Sequence, residues 1–334
     1  MSQISSPMTH NPMYSAALIG TVLMIGAQVI FAGVNFAYDV ITNPWNPLLA
    51  DAKMSSSAAV FWQYLIATVF ALPLILRIGL VKLRTRHPVL HEVRALVSAL
   101  GAQVFVFGFA SGVPVWQMVG LLMTGPFFVI AGSVLFLGER LTLARLGASA
   151  VAFVGAFLII GVGTESFTWA TILPVLAAAF WSTTTIITKY LSREEEPESL
   201  TLSLLLLISV NHALIGIVLG ILVAVLPAGA LPASLSAGFD FGFPAGDAVW
   251  WMLALALATA AAQYLMWAAY KRADASYLQP FDDLKLPINT LLGWIVLSQV
   301  PSIWFWPGAA LIVAASSFIY WNESSRRRRT LAAA

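Results

Sequence analysis

A chain of 334 residues with 60% apolar and only 10% charged positions lies far from the roughly one-quarter charged make-up of a soluble domain, so its surface is built for lipid. The formal net charge of +2 sits on basic residues scattered through short breaks between apolar runs, which excludes a nucleic-acid-binding face. Cysteine is absent, which removes disulfides, thiolate metal sites and cysteine nucleophiles.

In chain order, residues 1–15 are polar, contain Pro7 and Pro12, and lack the basic n-region and cleavage pattern of a signal peptide. They are expected to form a cytoplasmic N-terminal segment. Crossing about 30 Å of hydrocarbon takes about 20 apolar residues. The apolar runs predict helices over 16–39, 55–77, 92–111, 113–137, 142–162, 168–190, 200–226, 247–270, 275–298 and 302–321. The expected architecture is therefore an all-α membrane protein of ten transmembrane helices, multi-pass in a bacterial inner membrane and surrounded by its lipids. The long break 227–246 is rich in Gly, Pro, Ala and Ser and reads as an external loop. Residues 322–334 form a basic tail, in which Arg326 to Arg329 read as a topology anchor or a contact for anionic head groups. Glu194, Glu195 and Glu196 read as a solvated loop. Trp116, Trp169, Trp250, Trp251, Trp304, Trp306 and Trp321 fall near predicted helix ends, where interfacial belts account for them.

The basic residues orient the chain. With the N-terminus inside, fifteen of the seventeen lysines and arginines fall at cytoplasmic ends or loops; Lys53 lies outside and Lys285 falls within a span. Removing one helix would put later basic clusters on the wrong side, so both termini are expected in the cytoplasm.

Sliding the chain by 161 residues lays the predicted fourth helix on the ninth and matches Pro126 with Pro287, Gly132 with Gly293, and Gly147 with Gly308. Two five-helix halves, 16–162 and 163–321, would then have opposite orientations, the inverted-repeat plan of many secondary transporters. The alternative is coincidence among residues that are common in membrane helices.

The stretch Gly125-Pro126-Phe127, followed by Leu135-Phe136-Leu137-Gly138-Glu139-Arg140-Leu141-Thr142 and Gly147, resembles the first-half signature of EamA-type transporters in the drug/metabolite transporter superfamily. The second half departs from it, with Ser298-Gln299-Val300-Pro301 where a second Gly-Glu pair is expected. Pro280-Phe281-Asp282-Asp283-Leu284-Lys285 also resembles a motif of S-adenosylmethionine-carrier-like members, with Lys285 where arginine is expected. The resemblance spans about residues 16 to 321. It implies ten helices in two inverted halves around a central cavity open alternately to either side.

The predicted ninth helix carries Asp282, Asp283, Lys285 and Asn289. Starting near Ser276, it would place Lys285 about 13 Å into the hydrocarbon at 1.5 Å per residue. A charge there costs at least about 2.5–3.5 kcal/mol, so it should face the bundle interior and have a partner. Asp282 shares its face at i, i+3, and Asn289 and Gly293 continue the stripe at i+7 and i+11. Lys285 could meet a substrate carboxylate or phosphate, and Asp282 an amine or a coupling proton; the pair could equally be a structural lock between helices. Asp283 lies off the stripe and suits a helix-end or packing contact. Pro126, Pro280 and Pro287 can bend or interrupt their helices and free carbonyls toward a cavity, or be tolerated without that role. His212, midway along the seventh helix, could carry a proton or serve as an interhelical hydrogen-bonder. Asn35, Gln63, Tyr64, Gln103, Trp181, Thr184, Gln263, Tyr264 and Trp267 are further candidates for the cavity wall.

No Gly-x-x-x-x-Gly-Lys-Ser/Thr loop suggests a primary pump, and neither His-Glu-x-x-His nor Gly-x-Ser-x-Gly suggests an intramembrane enzyme. No catalytic residue, metal site or cofactor is expected. The expected function is secondary active transport of a small polar or amphipathic metabolite, an amino-acid-like zwitterion suiting the Asp282–Lys285 pair best. Protons or an exchanged metabolite would drive it, and the protein would act as a monomer or homodimer. A channel or a non-transporting receptor is the competing class.

Overall fold

A computed structural model describes residues 12–49, 53–78, 85–138, 142–161, 167–195, 197–227, 229–230, 244–273, 278 and 281–333. Within them the chain is helical and has no strand. The helices are α1 (Pro12–Thr42), α2 (Ser56–Ile78), α3 (Pro88–Ala110), α4 (Val115–Leu122), α5 (Gly125–Leu137), α6 (Leu143–Ile160), α7 (Leu173–Leu191), α8 (Pro197–Val225), α9 (Ala248–Tyr270), α10 (Lys285–Leu297) and α11 (Phe305–Ala333). In a lipid solvent every backbone polar group must be satisfied within the chain, which is why apolar runs of this length become helices.

Among the described residues seven segments are long and apolar enough to cross a membrane: Ala16–Thr42, Pro88–Ala110, Val115–Leu137, Leu143–Ile160, Trp169–Leu191, Ser203–Val225 and Ala248–Tyr270. Three shorter apolar helices, Ser56–Phe70, Lys285–Leu297 and Phe305–Ile319, accompany them.

Two predicted helices are not continuous. The fourth divides into α4 and α5 at a turn over Met123–Thr124, and the ninth has a turn at Asp283–Leu284 before α10 begins at Lys285. Proline is the common physical cause. Pro126 and Pro287 each stand in the first turn of the helix that follows the break, where the missing N–H has no intrahelical acceptor to lose. Both helices are 13 residues long and close on a left-handed residue, Gly138 (φ 69°) in α5 and Ser298 (φ 56°) in α10. Lys285 is thus the first residue of a short helix and not a point deep within a long one. Pro280 and Glu139 to Leu141 lie outside the described residues.

The principal packings come in related pairs when first-half helices are exchanged for second-half ones. α1 packs on α9 as α3 packs on α7; α3 on α8 as α2 on α9; and α5 on α7 as α10 on α1. α6 with α11 and α2 with α8 are their own counterparts. The α6–α11 crossing depends on two glycines. A Cβ on either Gly155 or Gly308 would come within 2.6 Å of the other's carbonyl oxygen, the close backbone approach that small residues permit between membrane helices.

Trp169, Trp250, Trp304, Trp306 and Trp321 are exposed, as belt residues should be. Trp116 is a correction. It is buried, edge-on to Phe305 at 5.1 Å, because α4 is an internal half-helix packed against α6, α7 and α10.

Candidate functional site

The turn at Asp283–Leu284 brings two charges together at the start of α10. Lys285 Nζ donates to Asp282 Oδ2 at 2.8 Å, and both side chains are partly exposed. A lysine at the positive end of a helix dipole is unfavourably placed by itself, and the carboxylate one turn earlier offsets this. The other carboxylate oxygen, Oδ1, accepts from Gln28 Nε2 of α1 at 2.9 Å, a charge-assisted bond.

Seven residues further along both helices the pairing recurs. Asn35 Nδ2 donates to Asn289 Oδ1 at 2.9 Å, while Asn289 Nδ2 donates to the Lys285 carbonyl. The equal sequence offset of the two rungs means that α1 and the Asp282–Asn289 segment run parallel in register, about 10 Å apart along the axis at 1.5 Å per residue. A third polar contact follows four residues on. Gly293 leaves room for the Gln299 side chain to fold back, so that Gln299 Nε2 reaches Asp39 Oδ1 at 3.4 Å while its Oε1 accepts from the Val115 backbone N–H at 2.8 Å. Asp39 is fully buried and also accepts from Asn43 (2.9 Å) and Asn46 (2.7 Å).

The resulting seam joins α1 to the second interrupted helix through Gln28–Asp282, Asn35–Asn289 and Asp39–Gln299. Lys285, Asp282, Asn289 and Asn35 were expected in a site and are brought together. Gln28, Asp39 and Gln299 were not foreseen. The signal was present: Gln28, Asn35 and Asp39 repeat on α1 the i, i+7, i+11 spacing of Asp282, Asn289 and Gly293. Gln299, noted above as a departure from a Gly-Glu pair, is the residue that ties α1, α4 and the end of α10 together.

Other expected wall residues serve to join helices. Trp181 Nε1 donates to the Ser98 carbonyl at 3.2 Å and lies against Gly101, where a Cβ would approach it to 2.8 Å. Gln103 donates to Ser56 and Ser57, Thr184 to its own helix at Phe180, and Gln63 to Thr259 at 2.6 Å. Tyr64 stacks on His212 with ring centroids 5.0 Å apart and planes 18° from parallel. Gln263 and Tyr264 lie exposed on α9 and are not drawn into the seam. The Trp267 side chain lies outside the described ones. Among the described residues no group of three or more His, Asp or Glu side chains converges as a metal site would require.

Curated relatives extend over nearly the whole chain. It is 44% identical over 307 residues to a riboflavin transporter of Brucella anthropi, covering 91% of this chain and 99% of that protein. It is 40% identical to a riboflavin transporter of Rhizobium johnstonii, covering 94% and 95%. The chain belongs to this transporter family. An S-adenosylmethionine uptake transporter of Rickettsia felis is a more distant relative, 22% identical over 88% of the chain and 94% of its own length. No family model matches the chain. One solved crystal structure shares the fold, with a TM-score of 0.56 and 17% identity over 92% of this chain and 96% of the other. The protein is accordingly a small-metabolite transporter of the bacterial inner membrane, crossing it several times.

The transporter has a second polar cluster, where α2 leads into α3 and α7 into α8. Glu195, expected in a solvated loop, is instead largely enclosed: it accepts from Thr85 Oγ1 and bonds His91 Nε2 at 2.7 Å. Arg94, 1% exposed, donates to Ser203 Oγ at 3.0 Å and approaches His91 Nδ1 at 3.2 Å, and Ser203 Oγ lies 2.7 Å from the same nitrogen. Arg94 can only donate, so Nδ1 is the acceptor and the His91 proton sits on Nε2, toward Glu195. Burial pushes the Glu195 carboxyl up, but the hydrogen bonds from Thr85 and His91 outweigh it and hold the group below its ordinary range.

Proposed function

We propose that this chain is a secondary carrier for riboflavin or a closely related flavin, working by alternating access through a cavity walled by the α1–α10 seam. The observation that carries the reading is the near full-length similarity, at 44%, 40% and 36% identity, to transporters named for riboflavin in Brucella anthropi, Rhizobium johnstonii and Vibrio cholerae. Riboflavin is a flat, uncharged ring system carrying a polyhydroxyl chain. Asn35 and the exposed edge of the Asp282–Lys285 pair, held in place by the buried Asn289 and Gln28, offer both donors and acceptors to hydroxyl groups. The zwitterion expected from the sequence is less well served, since Lys285 and Asp282 already neutralise each other and Gln28 occupies the second carboxylate oxygen.

The carrier reading includes ten spans, made of the seven long segments and the three shorter ones, arranged as two inverted EamA-type halves with both termini cytoplasmic. The matched breaks before Pro126 and Pro287 and the exchange-related packings support it. Of the two candidates for carrying a coupling proton, Asp282 touches the ion pair of the seam, whereas His212 lies elsewhere in the bundle.

Purified protein in liposomes loaded with unlabelled riboflavin should accumulate labelled riboflavin by counterflow, and S-adenosylmethionine or amino acids should not replace it. Absence of flavin counterflow would overturn the reading. Single-channel currents would favour a channel, and flavin binding without flux a receptor. Repeating uptake with and without a pH gradient would identify proton coupling.

A further inference from the structure

His212 lies on α8 about 13 Å beyond Ser203, where the apolar span begins, at 1.5 Å per residue. It is 1% exposed, and one face of its ring is covered by Tyr64 of α2. Neither Nδ1 nor Nε2 has a hydrogen-bond partner among the described residues. Next to Tyr64 on α2, Gln63 is also buried. Its amide nitrogen bonds Thr259, but its Oε1 is without a partner.

The unpartnered atoms do not reflect a general looseness of the region. Asn211, beside His212, donates to Glu92 Oε1 and to the Leu207 carbonyl, both at 3.0 Å; Ser209 and Thr68 pair at 3.2 Å; and Thr259 bonds the Leu255 carbonyl at 2.8 Å. Asn211, Ser209, Thr68 and Thr259 are satisfied, whereas His212 and Gln63 Oε1 are not. Buried polar groups in native proteins are rarely left so, because each loses its bonds to water without replacement.

The geometry of the stacked imidazole limits what can bind it. With one ring face on Tyr64, the imidazole offers its edge, and each nitrogen is either an N–H donor or a bare acceptor. The two nitrogens point away from each other across the ring, so an approaching edge meets one of them, and a group with an N–H beside a C=O suits that nitrogen in either tautomer. Resting on the flavin reading above, we propose that the His212–Tyr64 pair is a subsite for the heteroaromatic rim of the substrate, where His212 hydrogen-bonds the N–H and C=O edge of the flavin's pyrimidine ring. The ion-pair seam is left to the polyhydroxyl chain.

The test compares riboflavin with N3-methylriboflavin, which lacks the N–H, in the reconstituted full-length protein. Wild type should transport riboflavin with a KM at least tenfold below that of the methylated analogue. His212→Phe keeps a flat ring on Tyr64 and removes both nitrogens. It should raise the riboflavin KM to that of the analogue, leave the maximal rate within about twofold, and lower the thermal midpoint not at all, since two unpaired polar atoms are gone. Tyr64→Phe, which keeps the stack, should preserve discrimination. If His212→Phe misfolds, His212→Asn serves in its place and should weaken discrimination in the same direction.

Discrimination retained in a folded His212 variant would overturn the proposal and assign the nitrogens to bound water. So would equal transport of both flavins by wild type. Wild type that moves neither flavin overturns the flavin reading itself, and this inference with it.

Discussion

The two interrupted helices share a backbone plan and differ in chemistry. Each breaks just before a proline, continues for 13 residues and closes on a left-handed residue. At positions 161 apart, the first half has Leu121, Leu122, Met123, Thr124 and Phe128, where the second has Asp282, Asp283, Leu284, Lys285 and Asn289. The first set is buried or partly buried in apolar packing, and Thr124 turns its hydroxyl back to the Leu121 carbonyl. The second reaches across to α1 with a carboxylate, an ammonium and an amide. Two breaks of one backbone plan, with charged groups at only one of them, separate the role of the break, which is architectural, from the role of the side chains.

Substitution at matched positions tests that separation. Lys285→Ala should lower riboflavin uptake at least tenfold in vesicles, and Asp282→Asn similarly, whereas Thr124→Ala should stay within about twofold. Equal losses at both breaks would remove the distinction. Next in size, Asn289→Leu removes a side chain that both accepts from Asn35 and donates to the Lys285 carbonyl, leaving the buried end of the Asn35 amide without its acceptor. It should cost about 1–3 kcal/mol of stability, read as a lower thermal midpoint in detergent. Phe128→Leu, at the matched position, should cost no more than about 1.5 kcal/mol, as a near volume-conserving apolar change does.

Away from both breaks, the Glu195 cluster should respond to acid. The folded-state carboxyl titrates below its ordinary value of 4.5, so its contribution is complete above that pH and is lost as pH falls through the lower folded value. Thermal midpoints measured downward from pH 6 should therefore drop below about pH 4.5 in wild type, and less steeply in Glu195→Gln. An identical acid limb in the variant would show that Glu195 does not couple. The smallest effect concerns the two helix caps. Ser298→Gly should stabilise by about 0.5–1 kcal/mol and Gly138→Ser destabilise by a similar amount, because only glycine enters the left-handed region without strain.

Much of the fold was legible in local composition. Apolar runs located the helices to within a few residues, apart from the two breaks and the end of α11, which continues through the expected basic tail to Ala333, and the ionisable stripe at Asp282, Lys285 and Asn289 stood out against its surroundings. The breaks were harder to read, because proline in an apolar run is compatible with a kink, a stop or neither, and hydropathy averages across all three. Trp116 misled for a related reason: proximity to a predicted helix end suggested an interface, whereas that end belongs to an internal half-helix against Phe305.

Residue chemistry alone was enough to make this a membrane protein and to require that Lys285 have company, since transfer into hydrocarbon depends on each side chain and its near neighbours. Which company it keeps was settled by packing. Gln28 meets Asp282, and Gln299 turns over Gly293 to Asp39, because α1 lies parallel to the second interrupted helix at one particular register. The same is true of His212: the sequence marks a histidine in a span, but only the arrangement of α2 against α8 covers its face with Tyr64 and leaves both nitrogens without a partner among the described residues. Contacts between residues more than a hundred positions apart depend on how whole helix surfaces fit, and no local pattern in the chain encodes that fit.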